Sequence, residues 1–164
     1  MRIDELKAGE EVKYSGELLV MRDAAQKRIK NFLERHKTLP LKLEGKIVFY
    51  AGPARSPDGK KCGAIGPTTS ARMDEYLEML YRLGVVATVG KGKRSNWVVD
   101  MCRKWKRVYF VTPSGAAAYL SRCVESIETV AFEDLGPEAI YRIHVKDFPL
   151  LVAIDIWGNT VFAG

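Results

Sequence analysis

Gly66-Pro67-Thr68-Thr69-Ser70-Ala71-Arg72-Met73-Asp74 sets a Gly-Pro turn, hydroxyls and an arginine where a helical apolar pattern begins. Met73, Tyr76, Leu77 and Leu80 recur at i, i+3, i+4 and i+7, so one face of that helix is core. Thr68 or Thr69 is placed to cap it, and Arg72 falls in the first turn on roughly the side of Thr68. Exposed amides at a helix start favour an anion, and an arginine fork beside them suits a carboxylate. An ordinary cap with a surface arginine is the plain alternative. Two other junctions have the same character, Met21-Arg22-Asp23 and Lys91-Gly92-Lys93-Arg94-Ser95. Loops carrying Arg22, then Thr68 with Arg72, then Lys91 with Lys93 and Arg94 could together face one small dianion. The carboxyl ends of strands in an open α/β sheet are where such loops converge.

The elements that must position these loops follow from the patterning. Alternation from Val12 to Val20 reads as a strand or hairpin. A helix with Ala25, Ile29, Phe32 and Leu33 on its buried stripe comes next, with Asp23 and Gln26 as a capping-box variant and Pro40 barring continuation. Lys46 to Gly52 is a buried strand, and Pro53 to Gly66 a loop or loose hairpin. After the Met73 helix, Gly84 is a natural stop and Val85 to Val89 a strand. Val98, Met101, Cys102 and Trp105 mark another helix, Val108 to Val111 a strand, and Pro113-Ser114-Gly115 opens an alanine-rich helix through Leu120. Thr129 to Phe132, Tyr141 to Val145 and Leu151 to Ile156 read as strands, with a turn at Gly158-Asn159. Strands alternating with helices in the middle and strands at both ends predict an α/β domain with a mixed sheet, one domain over residues 1–164.

Composition bounds the function. Apolar residues make up 47% and charged residues 28%, the balance of an ordinary globular protein. Net charge +6 allows an anionic partner without naming one. Cys62, Cys102 and Cys123 lie far apart with only two histidines for company, a poor spacing for zinc or a disulfide framework and a fit to a reducing cytoplasm. The charged N-terminus does not read as a signal peptide, and no apolar run approaches the roughly 18 residues of a membrane span.

Four segments taken together carry a resemblance. Arg22-Asp23-Ala24-Ala25-Gln26-Lys27-Arg28, Gly66 to Asp74, Lys91-Gly92, and Phe132-Glu133-Asp134-Leu135-Gly136-Pro137-Glu138-Ala139-Ile140-Tyr141 stand in one order. They resemble the β subunit, or C-terminal domain, of class I iron–sulfur hydro-lyases, fumarase and L(+)-tartrate dehydratase, from about Gly9 to Gly158. The resemblance implies a swivelling β/β/α domain, inactive alone. A partner α subunit would hold a [4Fe-4S] cluster through its own cysteines, in a higher hetero-oligomer, with the active site between the two polypeptides and a small dicarboxylate as substrate. It implies that Arg22, Arg72 and Lys91 bind substrate carboxylates and that Thr68 is the catalytic base, although Thr68 as a substrate-orienting or capping hydroxyl stays open. Where many fumarase-type relatives read Arg-Asp-Ala-Ala-His, this chain has Gln26. The block around Glu138 looks more like fumarase than tartrate dehydratase.

Hydrating fumarate, or dehydrating (S)-malate, moves a proton at a carbon next to a carboxylate. The carbanionic intermediate pushes charge onto that carboxylate, and fixed cations stabilise it. A basic nucleic-acid-binding module is the rival reading, from Lys91–Ser95 and Arg103-Lys104-Trp105-Lys106-Arg107. Trp97 and Trp105 on or near the apolar side of one helix argue against it, because no stacking platform is then needed to explain them. Neither a G-x-G-x-x-G after a strand nor a Walker pattern is present.

Overall fold

The computed structural model describes residues 1–53, 65–113 and 115–162. Strand β1 (Glu11–Val20) leads into helix α1 (Asp23–Glu34), followed by β2 (Ile47–Phe49), β3 (Ala51–Pro53) and β4 (Ile65–Pro67). A 3-10 segment, Ala71–Tyr76, runs into α2 (Leu77–Arg82), then β5 (Ala87–Gly90), α3 (Trp97–Trp105) and β6 (Val108–Val111). Helix α4 (Ala117–Arg122), β7 (Val124–Ala131), a 3-10 segment Glu133–Glu138 and β8 (Ile140–Ile154) complete the order. The mixed α/β class expected from the sequence is the class observed. No described helix is long and apolar enough to cross a membrane.

The main sheet runs β1-β2-β5-β6-β8-β7, with β1 also paired to β8. Strands β1, β2, β5 and β6 are mutually parallel, and β8 is antiparallel to β1, β6 and β7. One edge of β8 takes β1 along its length, while the other takes β7 and then β6. The strands β1, β2, β5, β6 and β8 therefore close on themselves, leaving few free edges. The two-residue period divides β1 between two cores. Leu18 and Val20 join Phe49, Val89, Phe110 and Phe148 in one cluster, whereas Leu19 and Met21 pack with Tyr50, Ala25, Ile29, Met73 and Leu80 in another. A third cluster sets Tyr81, Val98 and Cys102 against Tyr109 and Ile154.

Several sequence expectations change. The two strands expected at Tyr141–Val145 and Leu151–Ile156 are one 15-residue strand, because β1 pairs with it on both sides of Pro149. Strand β7 starts five residues earlier than Thr129, and Phe132 lies beyond it with φ 56°. In α1, Ala25 and Ile29 are buried, but Leu33 is exposed and Gln26 takes an inward place. Strands β3 and β4 pair antiparallel, with Gly52 opposite Gly66, as a hairpin requires. The rest of the expected Pro53–Gly66 loop, Cys62 and Ser114 lie outside the described residues.

Candidate active site

Parallel strands β1, β2 and β5 finish together at one end of the sheet, with Val20 beside Phe49 and Phe49 beside Val89. Beyond β1, the Met21 N–H donates to the Phe49 carbonyl (3.1 Å), so the chain leaves the sheet only at Arg22. Arg22 is extended (φ −125°, ψ −158°) and immediately precedes α1. Its guanidinium lies across Gly52, where a Cβ would stand 2.9 Å from Arg22 Cζ. A side chain at this position would push the Arg22 guanidinium from its place. The capping box is not formed. No side chain caps α1, and the Gln26 N–H makes an ordinary helical bond to the Arg22 carbonyl. Asp23 instead turns to Arg72, 3.4 Å away.

The Gly66–Asp74 run is placed differently from an N-capped helix. The Thr68 N–H donates to the Tyr50 carbonyl (2.7 Å), continuing sheet-like pairing, and neither Thr68 nor Thr69 caps the helix that follows. From Ala71 the chain is 3-10, with a period near three residues. Arg72 and Glu75 accordingly face solvent, while Met73 with Tyr76 and Asp74 with Leu77 turn inward. The expected apolar stripe of Met73, Tyr76, Leu77 and Leu80 is buried throughout.

Arg22, Asp23, Ala24, Lys27, Arg72, Tyr76 and Glu138 line a cleft of about 540 Å³. Glu138 Oε1 stands 3.7 Å from Arg22 Nε, a contact too long for a hydrogen bond, and that buried Nε has no hydrogen-bond partner. Charges therefore alternate across the cleft: Glu138, Arg22, Asp23, Arg72. The segment bearing Glu138 is fixed to α1 by a bidentate Arg28–Asp134 pair (3.2 and 2.8 Å) and by the Phe32–Phe132 edge contact. Glu138 belonged to the family-like block in the sequence, but only the fold sets it against Arg22.

Thr68 and Lys91 are half-buried and do not line this cleft. They sit on adjoining loops joined by backbone. Thr69 pairs with Lys91, and the Ser70 N–H donates to the Lys91 carbonyl (3.0 Å). Arg94, expected to face a ligand with Lys91, is turned into the protein with a side-chain exposure of 0%. It pairs with Asp74 and donates to Thr88 Oγ1 (3.1 Å) and the Tyr50 hydroxyl (3.2 Å). Burial opposes its charge, but Tyr50, Asp74 and Tyr81 outweigh that and hold it protonated more firmly than a free arginine. Its loss to the interior also shortens the basic run on which the nucleic-acid reading relied. Trp97 is 46% exposed, against the sequence expectation, while Trp105 is half-buried against Tyr81.

The described thiols do not suit an iron–sulfur cluster. Cys102 and Cys123 are free and occupy different cores, and burial pushes the Cys102 thiol up to about 11, against the thiolate such a ligand needs. Among the described residues no three His, Cys, Asp or Glu side chains gather to hold a metal.

With this geometry in place, the relatives are informative. The family described as Fumarase C-terminus matches residues 1–164. Fumarate hydratase 2 of Leishmania major is 35% identical over 99% of this chain and 29% of its own length. The anaerobic class I fumarate hydratase of Escherichia coli K12 is 38% identical over 90% of this chain and 27% of its own. The L(+)-tartrate dehydratase subunit beta of the same bacterium is 34% identical over 98% of this chain and 81% of its own. The chain thus spans less than a third of the fumarate hydratases it matches.

Proposed function

The chain belongs to the fumarase C-terminus family, and from that premise we propose that it is the β subunit, a single swivelling domain, of a class I iron–sulfur fumarate hydratase. The reaction is the reversible hydration of fumarate to (S)-malate at a site shared with an α subunit. The observation that supports this reading is that Arg22 and Arg72, from separate elements, line one open cleft. The described thiols do not suit a [4Fe-4S] cluster, and in this reading the α subunit would hold it, where it would supply a Lewis acid for the departing hydroxyl. The free thiols Cys102 and Cys123 accord with the reducing conditions of the cytoplasm.

In this reading Arg22 and Arg72 take substrate carboxylates and supply fixed positive charge where the carbanionic intermediate places its electrons. Lys91 adds a third cation from the adjoining loop. Thr68, on the loop beside the cleft, would take the proton from carbon as its alkoxide, its own proton having passed to a group on the partner. A threonine hydroxyl needs activation for that role, and the backbone pairing of Thr69 and Ser70 with Lys91 brings a cationic loop beside it. The chain is inactive without its partner.

L(+)-tartrate is the second substrate kept open, since the tartrate dehydratase subunit beta matches at 34% identity. The test is anaerobic assembly of this chain with a cluster-bearing α subunit, followed by loss of fumarate ultraviolet absorbance with tartrate dehydration in parallel. Fumarate turnover requiring both chains supports the reading. Tartrate turnover alone changes the substrate and keeps the chemistry, and a cluster-loaded complex inactive on both acids would sink it.

A further inference from the structure

We propose that Arg94 is a positioning residue of this site, its buried guanidinium fixing the Thr68–Arg72 segment against the Lys91 loop. This rests on the carboxylate-binding reading above. The hydrogen bonds and ring contacts of Arg94 bear on Asp74, just past the first of those segments, and on the strands beneath the two loops. Asp74, two residues after Arg72, accepts from Arg94 Nε through Oδ1 and from the Ser95 N–H through Oδ2 (2.9 Å). One carboxylate thereby grips both the side chain and the backbone of the Lys91–Ser95 loop. The other guanidinium nitrogens reach Thr88 on β5 and Tyr50 just after β2. The flat guanidinium lies 5.1 and 5.0 Å from the ring centres of Tyr50 and Tyr109.

Those two tyrosines extend the hold to the loops. The Tyr109 hydroxyl stands 2.8 Å from both the Ser70 hydroxyl and the Gly92 carbonyl, so it clips one loop to the other. Tyr50 receives the Thr68 N–H on its carbonyl. Gly90 lets the loops close, since a Cβ there would collide with Ser70 Oγ and come within 3.1 Å of the Tyr50 ring. Burial pushes the Tyr109 phenol up to about 12, which keeps it neutral and available as a hydrogen-bonding group.

Stability alone does not call for such a group. A buried ion pair is often replaced by apolar side chains at no loss of stability, because burying the charges offsets their attraction. An arginine offers five donors in fixed directions, which a lysine does not. That rigidity matters where a misplacement of about 1 Å costs on the order of a hundredfold in rate.

The test uses the assembled two-chain enzyme and three variants: Arg94→Lys, Tyr109→Phe and, as a surface control, Arg82→Lys. Thermal midpoint, KM and kcat are read separately. Arg94→Lys and Tyr109→Phe are expected to assemble and to raise KM for the diacid, or lower kcat, so that kcat/KM falls about ten- to a hundredfold. Arg82→Lys should be unchanged. If Arg94→Lys does not assemble, Tyr109→Phe decides, because it keeps the ring and removes only the clip. Wild-type kcat and KM in assembled variants would overturn the positioning role, as would activity lost only in step with the folded fraction. A wild-type complex inactive on fumarate and tartrate would overturn the underlying reading instead.

Discussion

Arg72→Ala separates a functional arginine from a structural one. Arg72 is half exposed, and it forms an ion pair with Asp23, also nearly half exposed, 3.4 Å away. A pair of that kind contributes about 0–1 kcal/mol to stability. With the 2–4 °C per kcal/mol typical of a chain this size, the thermal midpoint should fall by no more than roughly 4 °C. If Arg72 instead holds a substrate carboxylate, truncation removes a charge-assisted hydrogen bond of about 1.5–3 kcal/mol. At 1.4 kcal/mol per decade, kcat/KM drops roughly ten- to more than a hundredfold. The assay is fumarate hydration by the assembled enzyme, with melting followed on the same preparation. A loss under about threefold, or a collapse in stability matching the loss in activity, would refute the reasoning.

Glu138→Gln should act in the opposite direction. If Arg22 holds a substrate carboxylate as proposed, Glu138 competes with it across 3.7 Å, and with both side chains partly exposed its attraction is about 1 kcal/mol. KM for fumarate should therefore fall about fivefold, most at low salt, whereas a rise would show that Glu138 supports the arginine. Asp155 is buried and accepts from the Ala8, Trp157 and Asn159 N–H groups and the Asn159 side chain, tying the N-terminal segment to the last turn. Burial raises its pKa, but these donors outweigh that and hold it below the ordinary carboxylate value. Its stabilisation is full above an unfolded pKa of about 3.9 and is lost as pH falls through the lower folded value. Asp155→Ala should cost roughly 3–5 kcal/mol near neutrality and remove this part of the acid limb in pH-dependent melts; an unchanged limb would contradict the assignment. Gln26 is wholly buried with its Oε1 unpaired and its Nε2 3.2 Å from Met73 Sδ. Gln26→Met should be neutral or stabilising by about 1 kcal/mol in thermal melts, and a loss above about 2 kcal/mol would mean that the amide oxygen has a partner.

Local rules made some of this visible in the sequence and left the rest to the fold. The stripe of Met73, Tyr76, Leu77 and Leu80 was legible because periodic burial is written into adjacent residues. The length of β8 was not, because what carries it past Asp147 (φ 51°) and Pro149 is β1, paired more than a hundred residues away. Arg22 and Arg72 stood out by type and setting, and both line the cleft. Arg94 looked like its neighbours Lys91 and Lys93. Nothing in Lys91–Ser95 marks an arginine for burial, since its counter-ion Asp74 lies twenty residues earlier. The capping readings at Asp23 and at Thr68 or Thr69 failed for a related reason, as those residues are engaged by Arg72 and by sheet pairing with Tyr50 and Lys91.

The central claim is that arginines of this chain recognise a dicarboxylate. It is tested most directly by competitive inhibition of the assembled enzyme with succinate and with succinamate, which has an amide in place of one carboxylate. The comparison is made in wild type, Arg22→Ala and Arg72→Ala. Wild type should prefer succinate by at least about tenfold, the worth of one charge-assisted hydrogen bond, and removing the arginine that meets the exchanged carboxylate should abolish that preference. A preference that survives in both variants would mean that neither Arg22 nor Arg72 meets the carboxylate, and the site would have to be sought elsewhere.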